Sequence, residues 1–206
     1  MLGVLVVATA LAGCSSDDRA PVSSVSPAAS LLTAPPVATL PAGVLAGLVL
    51  QPREVPLGLV PILRATGPAE IGRIAGFSKD ISAATKALRA HGFAAAYVVQ
   101  YADPDSGRVI SNVAVRFATA AGAAADLTAD LGAAAASSTP VPMPVVGDQS
   151  GAVRQAYTAA GPHGELVTLR FRVGAVTYLV ALGGREAVSV DELRALGQTL
   201  VARSTV

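Results

Sequence analysis

Residue types that carry much of protein chemistry are scarce in this sequence. The 206 residues include one cysteine, two histidines and no tryptophan. A lone cysteine leaves no disulfide within the chain, so the fold must rest on its core, and two histidines do not make a zinc site by themselves. Basic and acidic residues number 15 and 14, and no basic patch stands out. We therefore expect no cofactor and no nucleic-acid partner.

The sequence also has no hydrophobic run long enough to cross a membrane. The apolar N-terminal stretch ends at Cys14, whereas a hydrocarbon core of about 30 Å needs about 20 helical residues. A second apolar stretch, 44–63, is broken by prolines and by Arg53 and Glu54. The N-terminal stretch has instead the length of the apolar region of an export signal.

The tetrapeptide that ends this stretch has a recognisable composition. Leu11, Ala12 and Gly13 stand directly before Cys14, and the small residues suit a peptidase groove that admits extended backbone. The sequence resembles the lipobox of bacterial lipoproteins, in which the cysteine thiol takes a diacylglyceryl group and becomes the first mature residue. The resemblance implies a signal peptide at 1–13 and an anchor in membrane lipid. Because no basic residue precedes the apolar run, we expect the true start codon to lie upstream.

Amino-acid composition indicates the kind of genome that encodes the chain, and two short segments indicate the family that it resembles. Arginine is far commoner than lysine among the 15 basic residues, which indicates a high-GC genome such as that of an actinobacterium. The segment 49–58 and the sequence Val146-Gly147-Asp148 resemble parts of actinobacterial, mycobacterial-type cell-envelope lipoproteins. This resemblance implies an uncharacterised α+β domain, lipid-anchored on the extracytoplasmic face of the cell membrane.

Composition divides the rest of the chain into two parts. Residues 14–43 are rich in Ser, Pro and Ala and show no periodicity, which predicts a disordered tether. Residues 44–206 contain periodic segments and are numerous enough to bury a core as a single domain.

The first half of the predicted domain begins with a helix and a hairpin. Apolar residues at i, i+3, i+4 and i+7 predict a helix over 79–90, with Ser78 as its N-cap. Strand-like segments at 95–101 and 108–117 flank the turn sequence 103–107, which predicts an antiparallel hairpin.

The second half repeats this pattern after an alanine-rich helix at 118–131 and a proline-rich loop. Ser189 is the expected N-cap of a closing helix that runs to Val201. The remaining predicted elements are strands at 152–159, 165–173 and 175–182, with a turn at 161–164.

These elements predict an α+β fold: an antiparallel sheet of about five strands with helices packed on one face. The two halves are expected to be similar, each a β-meander followed by a helix. Strand alternation places four aromatic rings inward, those of Tyr97, Tyr101, Phe117 and Phe171.

No complete catalytic motif is present. His91 lies at a predicted helix end and His163 in a predicted turn, where structural roles are expected. The segment 147–151 resembles a nucleophile elbow, but its serine comes one position late and it lacks the strand-to-helix context. The acidic turn at 103–107 lacks the distal ligand of a calcium loop, which favours a simple hairpin turn.

Three arginines form the candidate binding site. Arg170 and Arg172 alternate with apolar residues on one predicted strand, so both should lie on the face opposite the core. Arg116 joins that face if its strand is a neighbour. This pattern favours an exposed, solvated sheet face without function. The alternative is an anion-contacting patch for lipid headgroups or an acidic polymer.

The combined features favour a non-enzymatic envelope lipoprotein whose domain binds a lipid, polymer or protein partner near the membrane. The first alternative is a carrier of an apolar lipid, which needs a cavity of several hundred Å³ between sheet and helices. The second is a hydrolase of unfamiliar type, which needs a cleft that brings His91 or His163 beside a serine and a carboxylate.

Overall fold

The computed structural model describes residues 41–157 and 164–204. Within these ranges, eight antiparallel strands form one open sheet in the order β1-β3-β4-β8-β7-β6-β5, with β2 also paired to β3. The strands are β1 Val60–Pro61, β2 Gly67–Ala69, β3 Phe93–Ala102, β4 Val109–Phe117, β5 Thr139–Pro140, β6 Gln149–Ala156, β7 Glu165–Val173 and β8 Val176–Gly184.

The predicted strand number of about five matches the long strands and misses the short ones. β3, β4, β6, β7 and β8 have eight to ten residues, whereas β1, β2 and β5 have two or three. Each short strand contains a proline, Pro61, Pro68 or Pro140. Proline lacks the ladder donor and is confined to sheet edges, so such strands show no alternation that a sequence reading could detect.

One helix begins at a different N-cap from the one that the sequence predicted. The first long helix starts after Asp80, whose carboxylate accepts from the backbone N–H of Ala83 at 2.9 Å, rather than after Ser78. Thr119 caps the next long helix in the same way, through Gly122. The α-helices are α1 Ile71–Ala75, α2 Ile81–Ala90, α3 Ala120–Ala135 and α4 Val190–Ser204, and 3-10 turns occupy Ala46–Leu48, Pro52–Glu54 and Leu63–Ala65.

Helices cover both faces of the sheet, so the prediction of helices on one face is wrong. One face, here called the closed face, packs against Leu193, Leu196 and Leu200 of α4. The other, here called the cleft face, packs against Ala75 of α1 and Leu88 of α2, and against α3. The physical reason is that the central strands are apolar on both sides, and both sides need cover.

The closed face is completed by the segment that enters the domain. Leu45, Val49 and Leu50 are buried against the sheet, and the hydroxyl of Tyr101 donates to the Leu50 carbonyl at 2.7 Å. Arg203 of α4 pairs with Glu54. Every buried hydrophobic side chain in the described ranges lies from Leu45 to Leu200, so a chain that begins after the lipobox contains the whole core of the described residues.

The hairpins and the inward rings are confirmed. β3 and β4 pair antiparallel around the 103–107 turn, where Gly107 has a φ of 71°. β6 and β7 also pair antiparallel, although residues 158–163 of their connection, with most of the predicted 161–164 turn, lie outside the described ranges. All four predicted rings are buried, with Phe117 on the cleft face and the other three on the closed face.

The two halves agree only in that long antiparallel strands come before a helix. The first contributes two long strands followed by α3, and the second contributes three followed by α4. α3 lies on the cleft face and α4 on the closed face, so the halves are not equivalent units. β4 and β8 join them in the middle of the sheet.

Candidate functional site

A cleft of about 250 Å³ opens between the cleft face and helices α1, α2 and α3. Apolar side chains make up most of its wall. The lining residues are Ile74, Ala75, Phe77, Ser78, Ala84, Ala87, Leu88, His91, Val113, Val115, Asp126, Leu127, Ala129, Asp130, Ala133, Arg170, Thr177, Tyr178 and Leu179.

The cleft exists because two helices line it with small side chains. α2 and α3 each line it with positions spaced i, i+3, i+4 and i+7, which form one stripe along a helix. Alanines occupy half of each stripe: Ala84 and Ala87 on α2, and Ala129 and Ala133 on α3. The cleft reaches the middle of the sheet, where Leu179 of the central strand β8 is only partly buried.

A buried ion pair forms one wall of the cleft. Arg170 projects from β7, and its Nε donates to Oδ2 of Asp130 on α3 at 2.5 Å. The Arg170 side chain is 5% exposed and that of Asp130 is 33% exposed. A guanidinium so deeply buried requires a carboxylate partner, because an unpaired charge there would cost several kcal/mol.

A second polar pair lies one helical turn away. His91 ends α2, and its Nδ1 lies 3.4 Å from Oδ1 of Asp126. The start of α3 is held close to this histidine, since a Cβ at Gly122 would overlap the His91 carbonyl oxygen. The Asp126 side chain is 21% exposed. Burial raises the pKa of Asp126 to about 6; the His91 hydrogen bond opposes this shift and the nearby Asp130 charge adds to it.

The prediction that Arg170, Arg172 and Arg116 lie exposed together on one sheet face is wrong. Arg170 is buried in the cleft wall rather than exposed. Arg172 is partly buried, and its Nη1 donates to Asp148 at 2.9 Å. Arg116 lies on the opposite face: it pairs with Val176, a closed-face residue, and β8 separates β4 from β7. The alternation in β7 was read correctly, but the face assigned to solvent is covered by α3.

The segment 147–151 has a structural role. Gly147 has a φ of 67°, and a Cβ there would overlap the Arg172 carbonyl oxygen. This approach lets Asp148 accept from the backbone N–H of Gly174 at 2.8 Å as well as from Arg172. Asp148 thus fastens the loop before β6 to the turn between β7 and β8. Ser150 is used locally, accepting from the Val146 N–H at 2.9 Å.

The acidic turn before β4 satisfies its own polar groups. Asp103 accepts from the Ser106 hydroxyl at 2.6 Å and from the Asp105 N–H at 2.9 Å. These bonds, led by that from Ser106, lower the pKa of Asp103. The turn therefore has the bonding of an Asx turn that closes a hairpin, as predicted.

The cleft brings together part of what the hydrolase alternative requires. His91 lies beside the Asp126 carboxylate, and Ser78 lines the same cleft. Within 41–157 and 164–204, however, no hydrogen bond joins His91 to a serine hydroxyl, so these groups do not form a nucleophile–base pair. His163, Cys14 and the lipobox residues 11–13 lie outside the described ranges.

Sequence reasoning missed Asp126 and Asp130 entirely. Both lie in α3, four residues apart on one face of a helix that is otherwise mostly alanine, glycine and leucine. Two acids at that spacing mark a single polar strip on an apolar helix. This signal was available, but its partners, Arg170 and His91, come from distant parts of the chain.

Comparisons with known proteins assign no family. No family model and no curated protein matches the chain, so the lipoprotein resemblance stays a prediction. The extracellular domain of PknH from Mycobacterium tuberculosis is similar in structure over 58% of this chain and 69% of that chain, with 11% sequence identity and a TM-score of 0.47. This similarity assigns no activity. In the described part of the chain, every helix is too short or too polar to cross a membrane.

Proposed function

We propose that this protein is a lipid-anchored extracytoplasmic lipoprotein whose domain binds a small, largely apolar ligand in the cleft without catalysing a reaction. The cleft itself is the observation that carries the binding part of the proposal. The lipobox resemblance at residues 11–14 supports the anchor, and the scarcity of catalytic groups supports a binding role.

The size and chemistry of the cleft fit a small ligand better than a membrane lipid. An apolar cavity of about 150 Å³ admits benzene, and this cleft holds about 250 Å³. Ligand sites are typically concave and apolar with a few polar groups that fix orientation. Here the apolar wall is combined with the Arg170–Asp130 and His91–Asp126 pairs. A carrier of a long-chain lipid, the second candidate, needs a larger cavity than this one.

Methyl NMR on a chain that begins at Ser15 tests the binding site, because that chain contains the whole core of the described residues. Titration with n-octanol should shift the methyl signals of Val113, Leu88 and Leu179, which line the cleft. Closed-face methyls such as those of Leu193 should not move. If n-octanol shifts none of the cleft methyls, the cleft is not an apolar binding site.

A matched pair of helix variants tests whether the cleft is the route of binding. Ala129 and Ala125 are both exposed on α3, but only Ala129 lines the cleft. Ala129→Phe should fill the space and abolish the n-octanol shifts, whereas Ala125→Phe should leave them intact. Equal binding by both variants would place the ligand elsewhere.

The anchor is tested separately in cells. Cys14→Ala should release the protein from the membrane fraction or block its processing, because the thiol is the proposed acceptor of the lipid. Labelling with a palmitate analogue should be lost at the same time. A variant that is matured and retained like the wild type would refute lipidation at Cys14.

A further inference from the structure

The ionisable groups that line the cleft do not balance one another. Asp130 is neutralised by Arg170 at 2.5 Å. Among the described residues, the polar side chain in contact with Asp126 is His91, at 3.4 Å, so the cleft lining sets two carboxylates against one arginine and one histidine. Lys86 and Arg89 on α2 are exposed and do not line the cleft.

We propose, building on the proposed function, that the cleft binds amphipathic amines, with the ammonium head at Asp126 and the apolar chain against Leu88, Val113 and Leu179. Within the described residues, the Asp126 carboxylate has no arginine or lysine partner and lines the same cleft as the apolar side chains. A ligand cation there would form the strong, charge-assisted hydrogen bond that the His91 contact does not provide. Burial and the nearby Asp130 charge raise the pKa of Asp126 more than His91 lowers it, so the charged form of this carboxylate is poorly compensated in the cleft.

The chain's own N-terminal segment is a poor candidate for the occupant. The Tyr97 hydroxyl, on the closed face, donates to the Pro41 carbonyl at 2.5 Å. The segment that follows packs along that same face through Leu45 and Val49. The chain therefore enters the domain on the side of the sheet away from the cleft, and an external ligand is the better fit.

Three probes with the same eight-carbon chain separate head-group preference from apolar binding. Calorimetric titration of the chain from Ser15 at pH 7.5 should give n-octylamine a dissociation constant at least about tenfold below that of n-octanol. Octanoate should bind more weakly than n-octanol, because its carboxylate would meet Asp126. If octanoate or n-octanol binds as tightly as n-octylamine, the amine proposal is overturned.

Two variants test whether the ammonium head group binds at Asp126. Asp126→Asn should remove the preference for n-octylamine while keeping n-octanol binding. Asp105→Asn removes the same charge from the exposed hairpin turn and should change nothing. Loss of the preference in both variants, or in neither, would refute the assignment to Asp126.

The outcomes distinguish the amine proposal from the proposed function on which it rests. Shifts of the cleft methyls by n-octanol without an amine preference would support the apolar binding site and reject the amine proposal. No shift with any of the three probes would reject both. Cleft-methyl shifts that depend on protein concentration in the absence of probe would assign the cleft to a second copy of the chain, and would also reject both.

Discussion

The two faces of the sheet are covered by helices in opposite ways. On the closed face, large side chains such as Tyr101, Phe171 and Tyr178 pack in one cluster with the leucines of α4. On the cleft face, alanines make up half of the stripes that α2 and α3 present to the cleft, and a larger space remains. The same sheet therefore has a face that serves stability and a face with room for a ligand, and the size of the helix side chains makes the difference.

The two faces also differ in how their buried polar groups are paired. The cleft face carries a buried arginine, two carboxylates and a histidine near one another. On the closed face, the buried polar group Asn112 is fully satisfied: its Oδ1 accepts from Leu50 N–H at 2.8 Å and its Nδ2 donates to the Leu179 carbonyl at 3.0 Å. Polar groups tie the closed face together, whereas on the cleft face one of them is left without a full partner.

The largest expected effect comes from breaking the ion pair in the cleft wall. Arg170→Ala should destabilise the fold by about 3–5 kcal/mol, because Asp130 loses its countercharge and a packed side chain is deleted. Arg116→Ala is the matched control on the closed-face side, where the arginine is exposed, and should cost less than about 0.5 kcal/mol. Urea unfolding measures both. Similar costs for the two variants would mean that Arg170 is not held in the wall.

A pair of leucines tests whether the faces differ in packing. Leu193 on α4 is fully buried and Leu88 on α2 lines the cleft. Leu193→Ala should cost about 3–4 kcal/mol, and Leu88→Ala about 2, since a residue beside open space loses fewer contacts on truncation. Chemical denaturation of the two variants ranks them. An equal or larger cost at Leu88 would contradict the description of the cleft face as loosely packed.

Removing the Asp126 charge should stabilise the protein. The pKa of this carboxyl is raised from 3.8 to about 6 in the folded state, so the folded state favours the protonated form and stability falls as pH rises through this window. Asp126→Asn removes that loss. By about 1.36 kcal/mol per pKa unit, the variant should gain roughly 3 kcal/mol over the wild type at pH 7.

The pH dependence separates this effect from a change in packing. Thermal melts should show no advantage for Asp126→Asn near pH 4, where the carboxyl is protonated in the wild type, and a growing advantage toward pH 7. An advantage that does not vary with pH would show that ionisation of Asp126 is not its cause.

The smallest expected effect comes from filling the cleft. Ala129→Phe adds a ring beside open space, so its free energy of unfolding should stay within about 0.5 kcal/mol of the wild type. Ala125→Phe, at an exposed position outside the cleft, should behave alike. A loss of several kcal/mol for Ala129→Phe alone would mean that the cleft closes in solution and has no room for the ring.

Local patterns predicted much of the fold before any contact was known. The turn at 103–107 and the alternation in β3 and β4 gave the hairpin and its buried rings, because period and turn chemistry depend on neighbours in the chain. The helical stripes of α2 and α4 were visible for the same reason. The short proline-bearing strands were invisible, since two or three residues carry no period.

The candidate site could not be predicted in this way, because its parts are far apart in sequence. Arg170 was correctly separated from the closed-face residues of β7, but its burial depends on α3, which crosses that face 40 residues earlier in the chain. Arg116 was grouped with it although β8 lies between their strands. Strand order and helix placement decide such neighbours, and both are properties of the whole fold.

The sequence by itself determined the hairpins, the periodic helices and the alternation of residues along each long strand, because these follow from backbone geometry over a few residues. Only the tertiary structure decided that helices cover both faces, that alanines on α2 and α3 leave a cleft, and that Asp126 is buried there beside His91. Burial depends on what other segments place against a residue. The charge that sets the proposed ligand of this protein is therefore visible only once the helices are packed on the sheet.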